Sequence, residues 1–184
     1  MNLDRMLESR ALPSLSPEAA RDAGYPTMYD RTIRADTDAK PIFELLTSDD
    51  AAKLIALHLV ADIGRRRARF GAALDDGGVR RYCEGLDWNR FFAMGAFVKR
   101  RMDAVVEIFR LGDDWRRAEV AATGMPNFQL LSAADLMAHA AREARTRGCV
   151  ELVWVEAAPR DPWRRALMHI GDAGARGADI VVRL

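Results

Sequence analysis

Residues 91–124 read FFAMGAFVKRRMDAVVEIFRLGDDWRRAEVAATG, in which three largely apolar runs are separated by two polar turns. The runs are rich in aromatic and β-branched residues, which favour strands. Gly112 and the two aspartates after it are typical of a tight hairpin turn, and residues 99–103 make the other turn. The stretch predicts three consecutive antiparallel strands, at 91–98, 104–111 and 116–124.

A long helix and a fourth strand follow directly. Residues 132–156 read SAADLMAHAAREARTRGCVELVWVE. The apolar stripe through Leu136 and Met137 predicts an amphipathic helix over 132–147, and Gly148 ends it. Residues 149–156 predict a strand. A strand, a helix and a strand in this order form a right-handed crossover that makes the two strands parallel.

The flanking segments complete an α/β (α+β) domain, with a mixed, mostly antiparallel sheet flanked by helices. We expect strands at 41–46 and 179–184, and helices at 51–62, over the following arginine run, at 79–84 and at 163–170. Residues 75–78 are expected to form a turn. The residues expected in or beside the core are Val105, Ile108, Val120, Leu136, Met137, Leu152 and Val153.

The domain organisation follows from the change in composition near residue 40. Residues 1–40 are expected to form an N-terminal arm or tether, with a short helix that Ser16 caps and Gly24 ends. Residues 41–184 are expected to form one domain, which is long enough to bury a core.

Composition limits the possible functions. The net charge of +1 argues against a general nucleic-acid or anionic-membrane binder. No apolar stretch approaches the ~20 residues that span a bilayer. Two cysteines make neither a disulfide framework nor a metal spacing, so we expect reduced thiols in a cytoplasmic protein.

One basic run, at 65–69, carries four arginines. It could form an anion-binding patch, or it could be the solvated face of a helix. The balanced net charge favours the solvated face.

Three segments resemble the GNAT superfamily of acyl-coenzyme-A-dependent N-acyltransferases, and within it the bacterial protein-lysine acetyltransferases. Residues 67–72, RARFGA, are similar to that group's Leu-Arg-Phe-Phe type segment. Residues 86–98, LDWNRFFAMGAFV, resemble the approach to its second strand, and residues 117–121, RAEVA, resemble its fourth strand. The resemblance covers about 41–184 and implies the GNAT fold, whereas a fold does not establish an activity.

The resemblance also implies where acyl-coenzyme A would bind. In the family, a loop of the type Arg/Gln-x-x-Gly-x-Gly/Ala lies between the fourth strand and the long helix, and its backbone amides hold the pyrophosphate. Here residues 125–132 read MPNFQLLS, without a glycine or a basic residue. The loop is therefore degenerate, and we expect acetyl-CoA to bind weakly at most.

Two interpretations of this loop remain open. Ser132 and Asp135 fit a helix capping box, with Leu130 and Leu131 packed inward and a negative charge in the first turn that opposes a diphosphate. Alternatively, backbone amides without side-chain help hold the coenzyme. Those amides would belong to Leu130, Leu131, Ser132, Ala133 and Ala134.

Amine acylation needs a base for the ammonium group and an acid for the leaving thiolate. Glu119 stands where the resembling acetyltransferases carry a glutamate on the fourth strand, which makes it the best candidate base; Glu107 is a weaker one. The helix at 163–170 has no tyrosine, which the family often uses as the acid, so His169 is a weak candidate. Each could instead be an ordinary surface or packing residue.

Other reactive side chains do not form a recognisable site. Cys149 begins a predicted buried strand without an evident base, which favours a core role. His58 and His139 show no metal-ligand spacing, so no metal is expected.

Two functional hypotheses follow. The chain is either a GNAT-like domain that acts by binding or regulation, as a homodimer or with a partner, or an active N-acetyltransferase. An active enzyme would transfer an acetyl group from acetyl-CoA to a primary amine on a small molecule or a protein lysine. The degenerate loop favours the first hypothesis, and Glu119 keeps the second open.

Overall fold

A computed structural model describes residues 40–61, 63–125, 128, 130–155 and 162–184. Except for Lys40, the expected arm at 1–40 lies outside the described residues. The helices are α1 (Ala51–Val60), α2 (Ile63–Phe70), α3 (Asp76–Glu84), α4 (Leu130–Thr146) and α5 (Pro162–Met168). The strands are β1 (Ile42–Leu45), β2 (Phe91–Val98), β3 (Arg101–Arg110), β4 (Arg117–Gly124), β5 (Glu151–Trp154), β6 (Asp172–Arg176) and β7 (Asp179–Arg183).

The seven strands form one sheet in the order β1-β2-β3-β4-β5-β7-β6. Every neighbouring pair is antiparallel except β4 and β5, which are parallel and joined through α4. The predicted mixed, mostly antiparallel sheet with flanking helices is therefore confirmed.

The alternation of side chains along β3 produces a core on each face of the sheet. Val106 and Ile108 join a cluster that includes Leu136 of α4. Val105 faces the other way and joins a cluster that includes Leu54 of α1 and other residues of α1 and α3. All seven residues that the sequence placed in or beside the core are buried.

The strand β3 begins three residues earlier than predicted, at Arg101 instead of residue 104, because the preceding turn is short. Lys99 and Arg100 both have positive φ angles, of 48° and 70°. Such a pair is typical of a two-residue type I′ turn, which matches the twist of a hairpin. The turn expected over 99–103 is therefore confined to two residues, and β3 begins at Arg101.

The helix α3 begins at Asp76, within the turn expected at 75–78, because Asp75 caps it. The Asp75 carboxylate accepts a hydrogen bond from the Gly78 N–H, with 2.6 Å between oxygen and nitrogen. A side chain that satisfies a free first-turn amide is the usual signal for a helix start. The strand β6 was not predicted, because its sequence DAGAR has no apolar alternation. In the structure this strand is mostly exposed.

Candidate functional site

The parallel strands β4 and β5 pair over a short distance and then part. Residues 117–119 of β4 pair with residues 151–153 of β5, and Glu119 opposite Val153 is the last pair recorded in the described residues. The remaining part of β4, residues 120–124, continues to pair with β3. The two strands therefore form a fork, and Glu119 stands at its branch point.

Backbone polar groups of β4 point into this fork. The Arg117 carbonyl accepts a hydrogen bond from the Leu111 N–H, and the Met125 N–H donates to the Asp103 carbonyl. The backbone N–H and C=O groups of the odd-numbered residues of β4 are therefore directed towards β3. Alternate residues of a strand direct their N–H and C=O groups to opposite sides. The parallel pair of Glu119 with Val153 uses the Val120 N–H. The groups directed away from β3 beyond that pair are therefore the carbonyl of Val120 and the N–H and C=O groups of Ala122 and Gly124.

Glu119 lies on the face of the sheet that α1 and α3 cover. It is partly buried. Burial raises the pKa of its carboxyl above the ordinary value, and the positive charge of Arg69 opposes that rise. A carboxylate whose pKa is shifted towards neutrality is a better proton acceptor.

Glu107 has different surroundings, although it lies on the same face of the neighbouring strand. Its side chain is fully buried. Arg69 donates to its Oε2 through both Nε, at 2.8 Å, and Nη2, at 2.7 Å, and the Tyr82 hydroxyl donates to Oε1 at 2.9 Å. Burial would raise the pKa of Glu107, but the surrounding charges and hydrogen bonds, led by the charge of Arg69, together outweigh burial and lower the pKa to about 2. These contacts make Glu107 one half of a buried ion pair and a poor proton acceptor.

Beside this buried ion pair lies His58, which is 1% exposed. Its Nε2 lies 3.3 Å from the Glu107 Oε2. The geometry of this contact does not make a hydrogen bond, and among the described residues Nε2 has no hydrogen-bond partner. His58 also packs against the rings of Phe70 and Tyr82.

The basic run at 65–69 belongs to α2 and corrects our expectation. Arg65 and Arg67 are exposed, as a solvated face requires. Arg66 and Arg69 are directed inward, where Arg66 donates to backbone carbonyls and to Asp76. The run is not a wholly solvated face, because Arg69 forms a buried ion pair with Glu107 and Arg66 is buried against backbone carbonyls.

The start of α4 also differs from the sequence interpretation. The helix begins at Leu130, so Ser132 is its third residue and does not cap it. Asp135 is the sixth residue and exposed, and α4 has no acidic residue in its first turn. Leu131 is 79% exposed instead of packed inward. The described part of the structure does not include the side chain of Leu130.

This start changes which amides are available. The first residues of an α-helix, here Leu130, Leu131 and Ser132, have N–H groups without an acceptor inside the helix. Ala134 is four residues beyond Leu130, so its amide takes part in the regular helical pattern, and Ala133 is buried. The amides that could meet an anion are therefore the first three of the five expected.

His169 follows the end of α5 and is exposed. Cys149 is buried, its Sγ lies 3.3 Å from the Glu151 carbonyl oxygen, and burial raises the pKa of its thiol, in agreement with a core role. His139 packs against Phe43, with 4.9 Å between ring centroids. Within the described ranges, His, Cys, Asp and Glu side chains form no group that could hold a metal ion.

Two features of the site had no clear sequence signal. Arg69 was one arginine among four, and only its spacing from Arg66 placed both on one side of α2. Thr123, on the same face of β4 as Glu119, is buried, and its Oγ1 has no hydrogen-bond partner among the described residues. A threonine in a strand is too common to single out from sequence.

No protein-family model matches the chain, and no curated protein sequence matches it. Solved structures do match. The GNAT domain of S. lividans PAT is 22% identical, with a TM-score of 0.61 over 78% of this chain and 89% of that one. A probable acetyltransferase from Staphylococcus epidermidis is 13% identical, with a TM-score of 0.58 over 78% and 98%.

A third match is AAC(6')-Ib in complex with Parmomycin and acetyl-CoA, which is 12% identical, with a TM-score of 0.57 over 78% of this chain and 93% of that one. At these identities the matches establish the fold. The chain has the GNAT acetyltransferase fold. No helix in the described part of the chain is long and apolar enough to cross a membrane.

Proposed function

We propose that this chain is a coenzyme-A-dependent N-acyltransferase that transfers an acetyl group from acetyl-CoA to a primary amine, with Glu119 as the general base. The observation that carries the proposal is the position of Glu119 at the branch point of the β4–β5 fork, with a raised pKa. The structural match to AAC(6')-Ib, whose complex contains acetyl-CoA, supports the choice of acyl donor.

In this reaction Glu119 accepts a proton from the substrate ammonium group. The neutral amine then attacks the thioester carbonyl, and its nitrogen loses a second proton to solvent as the amide bond forms. The C–S bond breaks, and the coenzyme leaves as a thiolate. The thiolate takes up a proton, for which His169 remains the candidate acid. Glu107 takes no part in proton transfer, because its carboxylate is bound to Arg69 and Tyr82.

The coenzyme would use two sets of backbone groups. The Val120 carbonyl and the polar groups of Ala122 and Gly124 suit an extended amide-containing chain, which adds to a strand edge by hydrogen bonding. The first-turn amides of α4 suit a diphosphate. Without a basic side chain in residues 125–132, these contacts predict weak coenzyme binding.

A second candidate is a domain of the same fold that binds a partner or a second copy without catalysis. It is favoured by one observation, the exposed Leu131 in the first turn of α4, where a basic residue would assist phosphate binding. For either function we propose a reducing cytoplasmic compartment, and the two free, buried cysteines support that proposal.

Two measurements test the proposal. Isothermal titration of the protein with acetyl-CoA should give weak but saturable binding. Thiol release from acetyl-CoA, followed against a panel of amines and lysine peptides, should show turnover with at least one acceptor. No heat and no turnover with any acceptor would favour the binding domain.

Glu119→Gln should reduce kcat by roughly 10²-fold or more and leave acetyl-CoA affinity unchanged, because the amide cannot accept the proton. The loss should shrink at high pH, where the amine is already neutral. Glu151→Gln is the matched control, since Glu151 lies on the neighbouring strand and pairs with Arg117 at 2.8 Å. Turnover that survives in Glu119→Gln would refute the catalytic role.

A further inference from the structure

Three charged side chains share one face of the central strands. Glu107 on β3 lies directly opposite Ala121 on β4. Glu119 is two residues before Ala121, so it is on the same face and diagonal to Glu107. Arg69 of α2 binds Glu107 there. The arginine therefore brings one positive charge to a face that carries two carboxylates.

The guanidinium group of Arg69 is tightly held. Its Nε and Nη2 both donate to the Glu107 Oε2, and Nη2 also donates to the Tyr82 hydroxyl at 2.7 Å. The rings of Phe70, Tyr82 and Phe109 lie 4.9, 5.5 and 5.8 Å from its central carbon. The side chain is 9% exposed, so these contacts hold a guanidinium group that is largely shielded from solvent.

We propose that the buried Arg69, fixed by Glu107 and Tyr82, is the positioning residue whose positive charge favours the carboxylate form of Glu119. This inference rests on the proposed role of Glu119 as the base. A base must be both deprotonated and a good proton acceptor. Burial of Glu119 favours the second property and works against the first.

The electrostatic surroundings of Glu119 agree with this role. Burial raises the pKa of Glu119, Asp179 of β7 also raises it, and Arg69 lowers it. Arg69 remains charged at every relevant pH, because nearby Glu107 stabilises its positive form against burial. Without the Arg69 charge, the pKa of Glu119 should therefore rise further, and a smaller fraction of the carboxylate would be available as a base.

The test compares Glu107→Gln with Arg69→Gln/Glu107→Gln. Both variants lack the buried carboxylate, so they differ only at position 69, and the double variant leaves no unpaired buried charge. The Glu119 carboxyl carbon is titrated by NMR, with Glu119→Gln used to assign its signal. We expect the midpoint of Glu119 to lie at higher pH in the double variant than in the single one.

Three further variants sharpen the comparison. Arg69→Lys/Glu107→Gln restores a positive charge and should return the midpoint towards the lower value. Arg67→Gln removes an exposed arginine from the same helix and should leave the midpoint of the otherwise unchanged protein in place. If the double glutamine variant does not fold, Arg69→Met/Glu107→Gln makes the same comparison with an apolar side chain.

The outcomes separate this inference from the proposed function. Equal Glu119 midpoints with and without the charge at position 69 would overturn the inference, whatever the activity. If the enzyme turns over, the acidic limb of kcat/KM against pH should move in the same direction as the midpoint. A midpoint that moves in a protein without any turnover would support the electrostatic role and count against Glu119 as the base.

Discussion

At the scale of the residue, Glu107 and Glu119 show how burial and charged partners shift the pKa values of two identical side chains in opposite directions. Both lie on one face of the central strands, and burial opposes ionisation of both. Arg69 binds Glu107 directly, so the pKa of Glu107 falls, whereas Glu119 receives only the more distant charge and its pKa rises. Paired groups whose pKa values are driven apart are typical of acid–base sites.

Glu107 should make the stability of the protein depend on acidic pH. Its pKa falls from 4.5 in the unfolded chain to about 2 in the folded protein, so its contribution is fully present above about pH 4.5. It is lost as the pH falls through this interval towards 2. Glu107→Gln should flatten the pH dependence of the unfolding free energy there, and should cost about 3–5 kcal/mol at neutral pH by leaving Arg69 unpaired.

Urea denaturation at a series of pH values measures this effect. Glu44→Gln, on an exposed position of β1, is the control and should keep the slope of the original chain. An unchanged slope in Glu107→Gln would contradict the buried ion pair.

Thr123 gives a second prediction at this scale. Its buried hydroxyl has no hydrogen-bond partner among the described residues, and such a group costs stability. The isosteric change Thr123→Val should therefore raise the unfolding free energy by roughly 1 kcal/mol. Thermal and chemical denaturation would measure the change, and a clear loss of stability would show that the hydroxyl has a partner.

At the scale of the element, the start of α4 decides how the candidate coenzyme site is built. The sequence suggested that Ser132 caps the helix and that Asp135 opposes a diphosphate. Since the helix starts at Leu130, the charge of Asp135 lies beyond the first turn, where the helix-dipole effect has faded. The exposed Leu131 occupies the first turn instead.

We therefore expect Asp135→Asn to change acetyl-CoA affinity by less than about twofold. Leu131→Arg should tighten binding by up to about fivefold, because an exposed charge pair contributes up to ~1 kcal/mol. Leu131→Gln controls for the loss of the apolar side chain. Isothermal titration measures all three, and a larger gain from Asp135→Asn than from Leu131→Arg would contradict this placement.

At the scale of the whole domain, one sheet supports two cores. Leu136 belongs to the core beneath α4 and Leu54 to the core beneath α1, and both are fully buried. Because the strands contribute side chains to both cores, loss of either core should unfold the common sheet.

Leu136→Ala and Leu54→Ala should each cost about 2–5 kcal/mol. Each variant should unfold in a single transition, because the two faces depend on the same strands. Circular dichroism and tryptophan fluorescence should report coincident midpoints. Separate transitions for the two probes would show that the cores unfold independently.

Local patterns in the sequence determined most of the element order and the two-sided core. The spacing of apolar residues along the chain predicts β2, β3 and β4, the buried stripe of α4 and the parallel crossover to β5. Glu119 could be singled out as the candidate base from its resemblance to a family segment. These features depend on residues close in the chain, which a single sequence displays directly.

Only the tertiary structure decided where α4 begins, which arginines are buried, and where β4 and β5 part. Arg69 and Glu107 are 38 residues apart in the chain, and their pairing depends on packing α2 against β3. The fork depends on how far two strands from opposite ends of α4 remain in register. The physical reason is that burial and long-range pairing set the charge states and free backbone groups of this site, and neither has a local signal.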